Sequence, residues 1–147
     1  MLQSEIEGST FVDGFAGSGS VGIEALSRGA TKAYFFESNR KTLAVLESNL
    51  TTLVQDSQWR IFSVPLPKGL ELLKTIDDSI NIIFFDPPYD FPNYSELLET
   101  CATLFSDALI ILETSSRSHW GVPPSLKLHK SRKIGETALN FYGKSTP

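Results

Sequence analysis

A glycine-rich stretch near the start of the chain contains an acid and several glycines that could hold a ligand. Asp13 is followed by Gly14, Gly17 and Gly19, and the four residues come directly after a short apolar run. Glycine lets a backbone approach a ligand closely and adopt conformations that other residues avoid. Residues 17–22 also match the dinucleotide fingerprint G-x-G-x-x-G, which is a weak signal by itself. The stretch therefore predicts a binding turn between a strand and a helix.

The charge of Asp13 favours a cationic ligand at this turn. A dinucleotide carries an anionic pyrophosphate that Asp13 would repel, whereas the same carboxylate attracts the sulfonium and ammonium groups of S-adenosylmethionine. Glu37, at the end of the second apolar run, can accept hydrogen bonds from both hydroxyls of a ribose. The sequence thus predicts an S-adenosylmethionine site. A dinucleotide oxidoreductase and a packing turn without a ligand are the less favoured interpretations.

A second group of residues follows a continuously apolar run and could hold an amine. It consists of Asp86, Pro87, Pro88 and Tyr89. Prolines lack the backbone N–H, so this loop offers mainly acceptors. The Asp86 carboxylate and the Pro87 carbonyl would hold an exocyclic NH2 of a base, and Tyr89 would stack on that base, worth roughly 1–3 kcal/mol. The group predicts methyl transfer to an amine, a reaction that an enzyme accelerates mainly by positioning the reactants. The alternative interpretation is a turn that only ends a strand.

The pattern of apolar residues predicts the elements that position these two groups. We expect strands at residues 9–13, 32–37, 59–64, 80–85 and 108–113, helices ending near residue 27 and at 39–54, 66–75 and 94–105, and final strands at 126–133 and 137–142. Repeated βα units predict one α/β domain over residues 1–147, with a Rossmann-like, mostly parallel seven-stranded sheet, a C-terminal antiparallel hairpin and helices on both faces. Ligands bind such sheets at the carboxyl ends of the strands.

The distribution of charge along the chain is uneven. Residues 1–116 contain 7 Lys and Arg against 16 Asp and Glu, whereas residues 117–147 contain 6 against 1. The basic segment either follows phosphates or is the solvated edge of a sheet, and the sequence leaves both interpretations open. A single cysteine, Cys101, suits a reducing cytoplasm. We expect no metal site, because His119 and His129 lack partners at ligand spacing, and we expect a monomer without a membrane span.

Two segments resemble a known family. Residues 15–19 (Phe-Ala-Gly-Ser-Gly) and residues 22–30 (Gly-Ile-Glu-Ala-Leu-Ser-Arg-Gly-Ala) are similar to the RsmD family of class I methyltransferases, which modify guanine N2 in 16S ribosomal RNA. Residues 110–113 resemble the fifth strand of that family and residues 128–142 its closing hairpin. The Asp-Pro-Pro-Tyr group is shared more widely, with enzymes that act on adenine N6 or guanine N2.

The resemblance implies a role for each candidate residue. The cofactor would be S-adenosylmethionine, with its methionine part at Asp13, Phe15, Gly17 and Gly19 and its ribose at Glu37. The target guanine would be held by Asp86, Pro87 and Tyr89. The partner would be small-subunit rRNA, free or in a ribosomal particle. The alternatives are an adenine-N6 nucleic-acid methyltransferase and a truncated, non-catalytic domain that binds S-adenosylmethionine or RNA.

Two departures from the family pattern bear on activity. Family members usually carry a longer segment before the first strand, with a basic hairpin and a helix that closes over the ligands. Here Met1 comes only a few residues before the first strand, so we expect that the start is misassigned, the chain is a fragment, or the gene has decayed. Residues 65–67 (Pro-Leu-Pro) stand where the family usually offers Asp or Asn to the adenine amino group. The loss of one ordinary hydrogen bond would weaken cofactor binding by about 1–1.5 kcal/mol.

Overall fold

The computed structural model describes residues 3–144, in which helices alternate with strands along most of the chain. The helices are α1 (Gln3–Ile6), α2 (Ser20–Ser27), α3 (Arg40–Leu53), α4 (Gly69–Ile76) and α5 (Tyr94–Leu104), with a 3-10 turn at Asp56–Gln58. The strands are β1 (Thr10–Asp13), β2 (Lys32–Phe36), β3 (Trp59–Phe62), β4 (Ile82–Phe85), β5 (Leu109–Ser115), β6 (Leu126–Ile134) and β7 (Thr137–Lys144).

The seven strands form one sheet in the order β3-β2-β1-β4-β5-β7-β6. The first five of these are parallel, whereas β7 runs antiparallel to both β5 and β6. This confirms the predicted parallel sheet with a C-terminal hairpin. The chain moves outward from β1 to β2 and β3 and then returns to place β4 on the other side of β1. Ligands bind open α/β sheets at such a switch point, beyond the carboxyl ends of the strands.

Apolar packing on both faces of the sheet explains why strand β4 lacks polar residues. All four residues of β4 are buried, as expected for a parallel strand covered on both faces. Side chains from β4 alternate between two clusters, with Ile83 and Phe85 in the cluster that contains Leu97 of α5. Ile82 and Phe84 belong to the cluster on the opposite face. Helices therefore cover both faces.

Helices α3 and α5 each begin directly after an asparagine whose side chain accepts a backbone hydrogen bond. Asn39 accepts from the backbone N–H of Thr42 at the start of α3, and Asn93 accepts from that of Glu96 at the start of α5. Each satisfies a donor that the first helical turn leaves free. Cys101 is fully buried on α5, where it packs as a small apolar side chain.

Several boundaries differ from the sequence prediction. Helix α4 begins at Gly69, later than expected, because residues 65–67 form a turn whose carbonyls accept from Gly69 and Leu70. Strand β5 extends to Ser115 because it pairs with β7 as far as Thr137. Strand β7 extends to Lys144 because its end pairs with Leu126 of β6. Pairing thus lengthens a strand past the point where hydrophobicity ends.

Candidate functional site

The turn between β1 and α2 adopts a backbone that only glycine accepts easily. Gly17 and Gly19 have φ values of 57° and 87°, in the left-handed region that side chains disfavour. The turn is fixed on both sides, since the N–H of Gly14 donates to the Phe84 carbonyl at 2.8 Å and that of Ala16 to the Phe36 carbonyl at 2.9 Å. The predicted glycines are therefore held between the ends of β4 and β2.

Asp13 ends β1 and lies almost wholly inside the protein. It is 1% exposed, and its Oδ2 accepts a hydrogen bond from the backbone N–H of Gly22 at 3.0 Å. Burial raises the pKa of Asp13 to about 7, and the Gly22 hydrogen bond opposes this, whereas the charges of Asp86 and Glu37 add to it. A cation beside this carboxyl would favour its ionised form.

Glu37 follows β2 and connects the glycine turn to the start of α3. Its Oε1 accepts from the backbone N–H of Gly17 at 2.9 Å, and its Oε2 accepts from that of Asn39 at 3.0 Å. Each carboxylate oxygen accepts more than one hydrogen bond. The arrangement fixes the carboxylate and leaves acceptor capacity for a ligand.

Phe15 lies between the two candidate groups. Its ring makes edge contacts with Phe85 at 6.0 Å between centroids and with Phe91 at 5.3 Å. Phe85 ends β4, and Phe91 follows the Asp-Pro-Pro-Tyr group. Each aromatic edge contact contributes about 0.5–1.5 kcal/mol beyond burial. These contacts connect the glycine turn to the loop that contains the Asp-Pro-Pro-Tyr group.

The Asp-Pro-Pro-Tyr group lies directly after β4, as predicted. Pro87 is buried, whereas the Tyr89 side chain is 97% exposed. Partial burial of its carboxyl group raises the pKa of Asp86, although the residue as a whole borders solvent. A cleft of about 380 Å³ opens here, and Asp86, Pro87 and Tyr89 all line it. We refer to this cleft as the target cleft.

Glu113 on β5 is a residue of the target cleft that the sequence did not single out. Phe85 pairs with Leu112 across β4 and β5, so Asp86 and Glu113 are the next residues along adjacent parallel strands. Both line the target cleft. Burial and the charge of Asp86 raise the pKa of Glu113. Only the register of β4 with β5 brings these two acids together.

The four acids at the carboxyl edge of the sheet fall into two pairs. Asp13 and Glu37 accept backbone hydrogen bonds, whereas the described residues provide no such partner for Asp86 or Glu113. Asp86 borders solvent and Glu113 is half-buried, so both carboxylates can be reached by a ligand. The second pair is therefore suited to a ligand that brings donors.

Trp120 in the loop after β5 packs against the core. Its Nε1–H donates to the Tyr142 hydroxyl at 2.9 Å, and its ring makes an edge contact with Tyr94 at 5.4 Å. The loop is thereby attached to β7 and α5 next to the target cleft, which Tyr94 also lines.

Residues 3–144 contain no helix with the length and apolar character that crossing a bilayer requires. The same residues include no group of three His, Cys, Asp or Glu side chains placed to hold a metal ion.

Comparison with known proteins gives consistent matches. The family described as "Conserved hypothetical protein 95" matches residues 1–143. Ribosomal RNA small subunit methyltransferase D of Haemophilus influenzae is 35% identical, over 96% of this chain and 75% of the relative. The protein of the same name from Escherichia coli is 33% identical, over 89% of this chain and 66% of the relative. A crystal structure of a Haemophilus influenzae protein superposes with a TM-score of 0.80 at 30% identity, covering 97% of this chain and 91% of that one.

Proposed function

The chain belongs to the RsmD family, and we propose that it transfers a methyl group from S-adenosylmethionine to the exocyclic N2 of a guanine in small-subunit (16S) rRNA. Its fold is the Rossmann-like fold of class I methyltransferases. The relatives named above are called rRNA small subunit methyltransferases. The observation that carries the proposal is the juxtaposition of the glycine turn and the Asp-Pro-Pro-Tyr group at the switch point of the sheet.

The residues of the glycine turn fit the proposed cofactor. Adding a Cβ at Gly17 meets no atom within 4 Å, so the backbone borders open space where a ligand can approach. Asp13 supplies a negative charge for the sulfonium and ammonium groups, and Glu37 supplies acceptors for the ribose hydroxyls. When bound, the cofactor supplies an electrophilic methyl group. Phe15, Gly17 and Gly19 complete the proposed contact with its methionine part.

The Asp-Pro-Pro-Tyr group positions the amine that attacks. The Asp86 carboxylate and the Pro87 carbonyl accept the two hydrogens of the NH2 group, which turns the nitrogen lone pair towards the glycine turn. Tyr89 stacks on the base. As the nitrogen gains its methyl group it must lose one proton, and Asp86 accepts this proton and passes it to water. The raised pKa of Asp86 makes it a better proton acceptor than an ordinary aspartate.

The pair of unpartnered acids in the target cleft favours guanine over adenine. The Watson–Crick edge of guanine presents two adjacent donors, N1–H and the N2 amine, whereas that of adenine presents one amine beside an acceptor nitrogen. Asp86 and Glu113 are both acceptors when ionised. Two neighbouring carboxylates therefore complement guanine and would repel N1 of adenine.

Methyl transfer to ribosomal particles tests the proposal. Purified protein would be incubated with radiolabelled S-adenosylmethionine and small subunits, or free 16S rRNA, from a strain without its own enzyme of this type. We expect label in N2-methylguanosine, and we expect Asp86→Asn to reduce the rate by about 100-fold or more through loss of a positioned proton acceptor. Label in N6-methyladenosine would overturn the guanine assignment, and no transfer to either substrate would overturn the function.

A further inference from the structure

The last strand of the sheet carries an unusual concentration of positive charge. Strand β6 has nine residues, of which all but Leu126 are exposed. Four of them are Lys127, Lys130, Arg132 and Lys133, and the strand contains no acid. It is the terminal strand in the sheet order of the described residues. A cationic ridge therefore runs along one edge of the protein.

Three of these cations share one face of the hairpin. Lys127 pairs with Gly143, Lys130 with Phe141 and Arg132 with Leu139. Directly opposed residues in an antiparallel pair project to the same face. Residues 139, 141 and 143 are two positions apart along β7, so their side chains and those of their three partners all lie on one face. An irregularity between Leu128 and Lys130 brings Lys127 and Lys130 onto this face despite their odd spacing.

The ridge lacks acidic partners in the structure. The ion pairs within residues 3–144 join Arg28 to Glu24 and Lys144 to Asp107, so neither involves β6. Lys130 instead lies 5.8 Å from the centre of the Phe141 ring. The charges are thus free to meet an anion, although residues 1–116 are strongly acidic.

The ridge leads directly into the target cleft. Strand β6 ends at Ile134, and the hairpin turn that follows brings Glu136 and Thr137 into the lining of that cleft. At about 3.3 Å per residue, the distance from Lys127 to Lys133 along the strand is about 20 Å. This length is enough to span several phosphates of one nucleic-acid strand.

We infer that the exposed β6 strand is an RNA-binding ridge, on which Lys127, Lys130 and Arg132 contact phosphates of the RNA segment that continues from the base in the target cleft. The inference rests on the proposed function for the identity of the RNA and adds the surface that holds it. The ridge provides affinity and orientation without base specificity, because phosphate contacts carry no sequence information.

Edge strands often carry lysines for a different reason, since charge prevents pairing with other sheets. That role requires only that the edge stay polar and predicts no dependence of RNA binding on these residues. The two explanations therefore differ in how RNA affinity varies with salt. Each phosphate contact contributes about 0.7 to 0.9 to the slope of log affinity against log salt concentration.

The test compares three triple variants with the wild-type protein, using a 16S rRNA transcript as the probe. The neutral variant is Lys127→Gln, Lys130→Gln and Arg132→Gln. The charge-retaining variant is Lys127→Arg, Lys130→Arg and Arg132→Lys. The matched control, Arg28→Gln, Lys32→Gln and Lys74→Gln, removes three charges outside the hairpin, at the end of α2, on β2 and on α4. Thermal unfolding checks that each variant folds.

We expect the slope to fall by about 2–3 in the neutral variant only, and KM for small subunits to rise while kcat at saturating RNA is unchanged. Equal slopes in all four proteins would overturn the proposal that the ridge binds RNA. A decrease in slope in the control as large as that in the neutral variant would also overturn it. Self-association of the neutral variant with an unaltered slope would indicate edge protection instead. If the wild type transfers no methyl group, the proposed function fails, and the slopes still decide whether the ridge binds RNA.

Discussion

We propose that the buried carboxyl group of Asp13 serves the cofactor at the expense of stability. Its position inside the protein raises its pKa from 3.8 to about 7, mainly through burial. The described residues place no cation beside it to offset this. Carboxyl groups with strongly shifted pKa values cluster at ligand-binding sites. We therefore expect the folding cost of Asp13 to be measurable.

The stability of the protein should decrease as pH rises from about 4 to about 7. In this window the folded state keeps a proton that the unfolded state has released, so the free energy of unfolding falls, and above pH 7 it levels off. Asp13→Asn retains an acceptor for the Gly22 N–H and cannot ionise. We expect it to be more stable than the wild type at pH 8, by roughly 2–4 kcal/mol, and equal to it near pH 3.5. Urea unfolding at both pH values checks this; equal stabilities at pH 8 would contradict it.

Glu113 is expected to select guanine by accepting its N1–H. The base 2-aminopurine keeps the N2 amine but has an acceptor at N1, so Glu113 should repel it. Glu113→Gln should lower kcat/KM for guanine by roughly 10- to 100-fold, the effect of one charged hydrogen bond, and should reduce the preference over 2-aminopurine because its amide can donate to N1.

The measurement is methyl transfer to particles with either base at the modified position. The ratio of the two rates distinguishes base selection from a structural defect, which would slow both substrates equally. A ratio that Glu113→Gln leaves unchanged would show that Glu113 does not contact N1.

At the scale of elements, the β1–α2 turn depends on two glycines for different reasons. Gly17 needs only its left-handed backbone, since an added Cβ would meet nothing within 4 Å. A Cβ at Gly19 would also lie 2.5 Å from Cδ1 of Leu46, which is fully buried on α3. Gly17 is thus required for its backbone conformation, and Gly19 is required both for its conformation and for its packing against Leu46.

Gly17→Ala should cost about 1–2 kcal/mol of stability through backbone strain alone. Gly19→Ala should cost roughly 1–3 kcal/mol more because it overpacks the α3 contact. Chemical denaturation of both variants, and of Gly19→Ala combined with Leu46→Ala, measures the difference. The double variant should lose less than the sum of its single changes; strict additivity would show that Leu46 does not cause the added cost.

The sequence predicted the order of elements better than the contacts between them. Apolar runs indicate β1 and β4 because central parallel strands are buried on both faces, and the turn chemistry placed Asp13 and Asp86 at their ends. Glu113 was missed because its proximity to Asp86 depends on the pairing of β4 with β5, which no local pattern reveals. Glu37 was singled out as an acceptor for a ribose, but its hydrogen bond from Gly17, twenty positions away, was not predicted.

At the scale of the whole molecule, the two proposed ligands correspond to two regions of opposite charge. The carboxyl edge of the sheet is lined with acids that suit a cationic cofactor and the donors of a guanine. Strand β6 presents the cations that suit phosphates. The net charge of −4 therefore gives no indication of RNA binding, because the two regions offset each other in the sum.

Cofactor binding should stabilise the whole fold by mass action. A ligand present at 100 times its Kd adds about 2.7 kcal/mol, which for a chain of this size raises Tm by roughly 5–10 °C. We expect this increase with S-adenosylmethionine in a thermal unfolding experiment at pH 7.5. S-adenosylhomocysteine lacks the sulfonium charge, so comparing its Kd with that of S-adenosylmethionine measures how much this charge contributes to binding. The difference between the two Kd values should be smaller in Asp13→Asn than in the wild type. Lys74→Gln, which lies away from the glycine turn, should behave as the wild type. A folded protein whose Tm neither ligand changes would not bind this cofactor, and the methyltransferase proposal would then lose its methyl donor.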